Sequence, residues 1–188
     1  MATKQQQKDF IEKIWQAIAG LDLDGLFPSV LIAQAGLESS WGTSSLTSKY
    51  NNAFGVKAGK NWTGKTVTLP TKEYRNGQYV SVMGTFRVYD SLAESIADRN
   101  KLFDLNIYKK QGVRQAQTPE AQIRAIAAAG YATDANYVSK ILNTIKSNNL
   151  TIFDEKKKEI MNTKTISIMI IAMAAIMAGV GIYNLIKL

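Results

Sequence analysis

The 188-residue chain contains no cysteine and no histidine. Their joint absence removes the Ser-His-Asp triad, the Cys-His nucleophile pair and the ordinary zinc site from the available chemistry. Disulfide staples are excluded too, so a stable domain must rest on its hydrophobic core. Neither a metal nor a cofactor is implied. Proline is scarce, at three residues, and no internal repeat or low-complexity tract appears. The opening MATKQQQKDFIEKIW lacks the apolar stretch of a signal peptide. Any acid–base chemistry therefore falls to Asp, Glu, Tyr or Lys.

What is present is unevenly distributed. Lys and Arg number 23 against 15 Asp and Glu, a formal net charge of +8. The basic residues of 1–153 are scattered, without an Arg-rich run or interleaved aromatics, so nucleic acid is not an expected partner. Attraction to polyanions such as bacterial wall polymers or anionic lipid accounts for the excess, and so does simple solubility. Residues 165–186, TISIMIIAMAAIMAGVGIYNLI, carry no charge. As a helix they would extend about 33 Å, against roughly 30 Å of bilayer hydrocarbon. The expectation is a C-terminal transmembrane helix over 165–188, touching the lipid bilayer through 165–186; a buried core helix is the competing reading. The organisation expected is a domain over 1–153, a charged linker over 154–164 (DEKKKEIMNTK) and the membrane segment. Lys156, Lys157, Lys158 and Lys164 outnumber Lys187, which favours a cytoplasmic N-terminal domain. A chain ending near Phe153 is expected to be soluble.

The domain reads as mostly helical with a small antiparallel excursion. Apolar residues at 10, 11, 14, 15 and 18 follow a helical period. Pro28 opens a second helix that ends near Ser39 or Ser40. Residues 65–89 are rich in Thr, Val and Tyr, and Asn76-Gly77 signals a hairpin. Ser91-x-x-Glu94 is a capping box before an apolar run to Phe103. Thr118-Pro119 opens a helix that closes at Gly130, and Asp134 or Ala135 starts another, with Tyr137, Ile141 and Ile145 on one face.

Glu38 is the leading candidate for chemistry. It falls at the C-terminal end of the second helix, on the face of Leu31 and Gln34 and between Leu37 and Trp41. Partial burial and the negative helix end both raise a carboxyl pKa, and an acid kept protonated near neutrality suits donation to a leaving glycosidic oxygen. A solvated helix-end glutamate is the plain alternative.

Four blocks, AQAGLESSWG (33–42), NNAFGVK (51–57), TKEYRNG (71–77) and GYATDANYVSKI (130–141), occur in an order that resembles the glucosaminidase domain of glycoside hydrolase family 73. That family includes autolysins and flagellar peptidoglycan hydrolases. The resemblance spans roughly residues 10–150. It implies an α+β, mostly helical lysozyme-like domain with a small antiparallel β-lobe. It also implies an endo-β-N-acetylglucosaminidase, a glycosidase cleaving the β-1,4 bond after N-acetylglucosamine in peptidoglycan. By the resemblance, Glu38 takes the general-acid position, Glu73 matches the second acidic residue and Tyr131 an active-site tyrosine. Gly36 stands where Ala is commoner and Ser40 where Gly is commoner; neither touches a reactive group. Gly36 costs helix propensity, which suits close approach by another segment.

Roles beside Glu38 stay open in the sequence. Glu73 either activates water or stabilises charge at the anomeric carbon, or pairs with a basic residue across the strands. Tyr131 donates to the sugar or packs in the core. Trp41, Trp62, Tyr74 and Tyr137 are candidates for stacking on sugar faces, with Trp62 expected to be the most exposed, and Asn52, Phe54 and Gly55 for the groove floor. Asp134 is a substrate-contact candidate and, more simply, a helix cap. The expected partner is the glycan strand of peptidoglycan and the expected place of action the bacterial wall. A phage-type lysis enzyme (an endolysin) or one delivered by a secretion apparatus fits the small size. A muramidase cutting the alternate bond, or a silent wall-binding scaffold, are the other readings.

Overall fold

In the computed structural model the backbone is described for residues 2–75 and 77–177, and side chains for these except 73–75, 79 and 175–177. In chain order the elements are α1 (Lys4–Ile18), α2 (Pro28–Glu38), α3 (Ser45–Tyr50), β1 (Thr66–Arg75), β2 (Gln78–Arg87), α4 (Leu92–Lys101), a 3-10 turn (Leu102–Asp104), α5 (Asn106–Lys110), α6 (Pro119–Ala128), α7 (Tyr137–Ser147) and α8 (Thr151–Met177).

α2 is the axis of the domain. Every residue from Pro28 to Gly36 is buried, the mark of a helix apolar all round and packed on all sides. α1, α6, α7 and α8 pack around it. α1 contributes Phe10, Ile11, Ile14 and Ile18, and α7 contributes Tyr137, Ile141 and Ile145. α1 starts six residues before its apolar period, because Thr3 and Gln6 form a reciprocal capping box. At α4, Ser91 accepts from the Glu94 backbone N–H as expected, but the Glu94 carboxylate caps the Asp90 N–H instead of Ser91.

The sheet has two antiparallel strands, longer than the short strands expected. They run in register from Thr66 opposite Arg87 to Arg75 opposite Gln78. The foot of this hairpin is tied to the helical lobe. Lys57 bridges to Phe86, Arg87 pairs with Asp98 at 2.6 Å, and the Asn52 amide donates to the carbonyls of Val56 and Arg87.

The C-terminal part departs from expectation. Among the described residues no helix is long and apolar enough to cross a membrane. Residues 165–177 continue α8, whose earlier turns hold the charged DEKKKE run, so apolar length does not accumulate within the described helix. Residues 178–188, the rest of the expected membrane segment, lie outside the described residues. The 154–164 stretch is helical throughout. Its first turns are seated in the domain: Asp154 Oδ1 accepts the Ser29 backbone N–H at 2.8 Å. Lys157 Nζ donates to the carbonyls of Ile18 and Leu21. Both side chains belong to residues under a tenth exposed. They supply an acceptor at the N-terminus of α2 and donors at the C-terminus of α1, where a helix lacks its own. Phe153 packs on Trp15, ring centroids 5.1 Å apart.

Candidate active site

Glu38 is the last residue of α2, and the chain behind it turns sharply. Ser40, Trp41 and Gly42 all have left-handed φ values, 52°, 59° and 77°. Trp41 N–H donates to the Gly36 carbonyl at 2.7 Å, and Ser39 Oγ receives the Gly42 N–H. This reversal lays the Trp41 indole over Gly36, where an added Cβ would come within 2.8 Å of Trp41 Cζ3. The missing side chain at 36 thus makes room for the ring that braces the end of the helix. Gly36→Ala is expected to cost about 1–3 kcal/mol, read as a lower thermal midpoint, because the ring has to be displaced. Ser40 holds a left-handed conformation unfavourable for a residue with Cβ; Ser40→Gly should raise stability by up to about 1 kcal/mol in the same melt.

Glu38 is the residue shared by two adjoining cavities. One, about 440 Å³, runs toward the hairpin and is lined by Ser44, Ser45, Leu46, Phe54, Gly55, Lys57, Leu69, Pro70, Thr71, Lys72 and Phe86. The other, about 500 Å³, runs toward the α6–α7 loop and is lined by Leu37, Tyr131, Ala132, Thr133, Asp134, Tyr137 and Lys140. A groove open on both sides of one acid is the shape required to bind a polymer in its middle. Glu38 is more solvent-accessible than its flanking hydrophobes suggested, and Leu37 is 38% exposed. Water reaches the carboxyl along the groove, while the surrounding walls still strip it of solvent enough to raise its pKa. No hydrogen bond or ion pair among the described residues stabilises its carboxylate.

The structure sorts the other candidates. Tyr131 lines the groove with Glu38; burial pushes its phenol up to about 12, so at neutral pH it is a hydrogen donor. Tyr137 lies beside it, ring centroids 5.8 Å apart, its phenol also raised by burial. Phe54 and Gly55 line the hairpin side of the groove. Asn52 does not; it is 1% exposed and ties the foot of the hairpin. Trp41 is spent on Gly36, and Trp62 is not the exposed platform expected. Its indole lies under the Arg87 guanidinium, 4.5 Å from the ring centroid, with Tyr89 at its edge. Asp134 stands two residues before the α7 N-cap, Asn136, whose N–H it accepts, and pairs with Lys140 at 2.6 Å. Glu73 and Tyr74 are in β1, opposite Val80 and Tyr79; their side chains lie outside the described residues.

Two residues under the groove escaped the sequence reading as functional: Gln34, 0% exposed, and Arg99, 1% exposed. The signal for Arg99 was its place between Ile96 and Phe103 at helical spacing, a charge on a buried face.

A helical lobe and a β-hairpin flank a groove with a raised-pKa acid at its centre and phenol donors beside it, an arrangement suited to glycoside hydrolysis. The family model described as mannosyl-glycoprotein endo-beta-N-acetylglucosaminidase matches residues 15–150. The chain is 38% identical over 134 residues to the exo-glucosaminidase LytG of Bacillus subtilis, covering 69% of this chain and 47% of that protein. It is 37% identical over 161 residues to a Lactococcus lactis protein named Probable N-acetylmuramidase, covering 81% and 36%. The catalytic domain of the autolysin Auto from Listeria monocytogenes superposes with a TM-score of 0.68 at 33% identity, covering 82% of this chain and 90% of that one. The chain belongs to this glucosaminidase family of glycoside hydrolases. It spans less than half the length of the curated relatives it matches.

Proposed function

We propose that the chain hydrolyses the glycan of bacterial peptidoglycan, cleaving the β-1,4 bond after N-acetylglucosamine, with Glu38 as the general acid. The observation that carries this reading is the position of Glu38: among the described residues it is the one common to both halves of the groove, with a carboxyl whose pKa is raised by desolvation. A protonated carboxyl delivers its proton to the glycosidic oxygen as the bond to the anomeric carbon breaks, and is left as the carboxylate. Tyr131 donates a hydrogen bond to the sugar at that point.

Glu73 is assigned the second acidic role. If the two carboxyls stand about 5–5.5 Å apart in the working complex, it is the nucleophile of a retaining reaction; about 6.5–9.5 Å makes it the base of an inverting one. A wider gap leaves the attack to the acetamido oxygen of the substrate itself. The place of action is the cell wall, where relatives of this family carry names such as peptidoglycan hydrolase.

The test is mass spectrometry of purified peptidoglycan digested by the full chain, beside a Glu38→Gln control. Reduced N-acetylglucosamine at the new ends supports the reading, and no product from the unaltered chain sinks it. Reduced N-acetylmuramic acid instead establishes muramidase activity, the reading favoured by the name of the Lactococcus relative.

A further inference from the structure

We propose that Arg99 and Gln34 are positioning residues that set the proton polarity of the Tyr137 hydroxyl, so that this phenol presents its hydrogen to an oxygen of the bound glycan. The inference rests on the assignment of this groove as the glycan site.

Arg99 projects from α4 into the core and is 1% exposed. Among the described residues no carboxylate pairs with it. Its guanidinium lies over the Phe103 ring, 4.4 Å from the centroid, with the Phe54 ring at 5.5 Å. It donates to Asn100 Oδ1 at 2.9 Å and, very closely, to Gln34 Oε1, and it also interacts with the Tyr131 hydroxyl. A buried cation without a counter-ion is costly, so the neutral acceptors around it are not interchangeable.

The chain of hydrogen bonds has a forced direction. A guanidinium only donates, so the Gln34 atom facing Arg99 must be the amide oxygen. That leaves the amide nitrogen to face Tyr137, and Gln34 Nε2 donates to Tyr137 Oη at 2.6 Å. Tyr137 Oη therefore accepts from Gln34, and its own hydrogen is directed elsewhere. No described residue accepts that hydrogen. Tyr137, 7% exposed, lines the groove together with Glu38 and Tyr131, and under the proposal its free hydrogen faces that opening, where a sugar hydroxyl or carbonyl would sit. Arg99 never touches the substrate; it works by holding the Gln34 amide in one of its two orientations.

Gln34→Glu reverses the polarity at constant shape. The carboxylate still accepts from Arg99 but has no N–H for Tyr137, so the phenol turns its hydrogen inward. The experiment measures kcat/KM on soluble peptidoglycan fragments and the thermal midpoint for the full chain, Gln34→Glu, Tyr137→Phe and the double variant, with Glu38→Gln in parallel. The expected result is a loss of roughly tenfold or more in kcat/KM for each single variant, and no further loss in the double variant. An unchanged kcat/KM in folded Gln34→Glu overturns the proposal. So does an equal loss from Gln34→Glu in the Tyr and Phe backgrounds, which is what a purely structural role gives. If Gln34→Glu does not fold, Gln34→Met and Tyr137→Phe decide: a roughly tenfold drop in each with no further loss in their double variant supports the relay, and full activity in either folded single variant overturns it. Activity in Glu38→Gln would instead overturn the site assignment itself.

Discussion

Glu38→Gln is expected to lower the rate of glycan cleavage by about 10²–10⁴-fold, the contribution typical of a positioned general acid. The amide keeps the shape of the side chain but carries no transferable proton. The fold should not suffer. Desolvation raises the Glu38 pKa above its usual 4.5 in the folded chain. A carboxyl so raised contributes most to stability below its unfolded pKa, and that contribution is lost as pH climbs through the folded value. Glutamine does not titrate, so at neutral pH the variant should melt at the same temperature as the parent or higher. The activity loss and the unchanged or raised melting point are measured on one preparation. An active variant would remove Glu38 from the chemistry, and an unfolded one would show that the side chain is structural.

A chain ending at Phe153 should be markedly less stable than one ending at Lys164. The shorter chain loses Asp154, the acceptor for the Ser29 N–H, and Lys157, the donor to the Ile18 and Leu21 carbonyls. Leaving such groups without partners costs about 1–3 kcal/mol each. A total near 3 kcal/mol would lower the thermal midpoint by roughly 6–12 °C for a domain of this size. Equal midpoints would show that α8 adds nothing to the domain after Phe153. Asp154→Asn is the milder comparison. Burial raises the Asp154 pKa, so its charge counts against the folded state as pH rises through that value. The amide retains an acceptor for Ser29 without that charge, and its relative stability should improve with rising pH.

The helices that carry a periodic apolar face or an N-cap signal were legible in the sequence. Pro28, Ser91 and Thr118 mark real starts, and β1 and β2 pair out to Arg75 opposite Gln78; Asn76 of the hairpin signal lies outside the described residues. α1 begins earlier than its apolar residues because a cap, not a core contact, sets its first turn. α3 and α5, of six and five residues, are too short to show a period. The start of α8 was hidden by composition. DEKKKE looks like solvent-facing linker, and only the positions of two helix ends elsewhere in the chain tell Asp154 and Lys157 apart from their neighbours. In the site, Glu38, Tyr131, Phe54, Gly55, Asp134 and Tyr137 converge on one groove. Trp62 and Asn52 do not, since an aromatic among polar residues and an amide in a loop look alike whether they face a sugar or hold a strand. Gln34 and Arg99 gain their meaning only when α2, α4 and α7 are packed together.

The two-stranded hairpin has a mechanical consequence. Glu73 sits seven residue pairs out from its foot, roughly 23 Å along the strand, whereas Glu38 is anchored to the central helix. A swing of about 5° at the foot carries the far acid through roughly 2 Å, as much as separates the retaining and inverting spacings. Under the role proposed for Glu73, a lever of this length makes the separation of the two carboxyls, and with it the route of attack, sensitive to a small hinge angle.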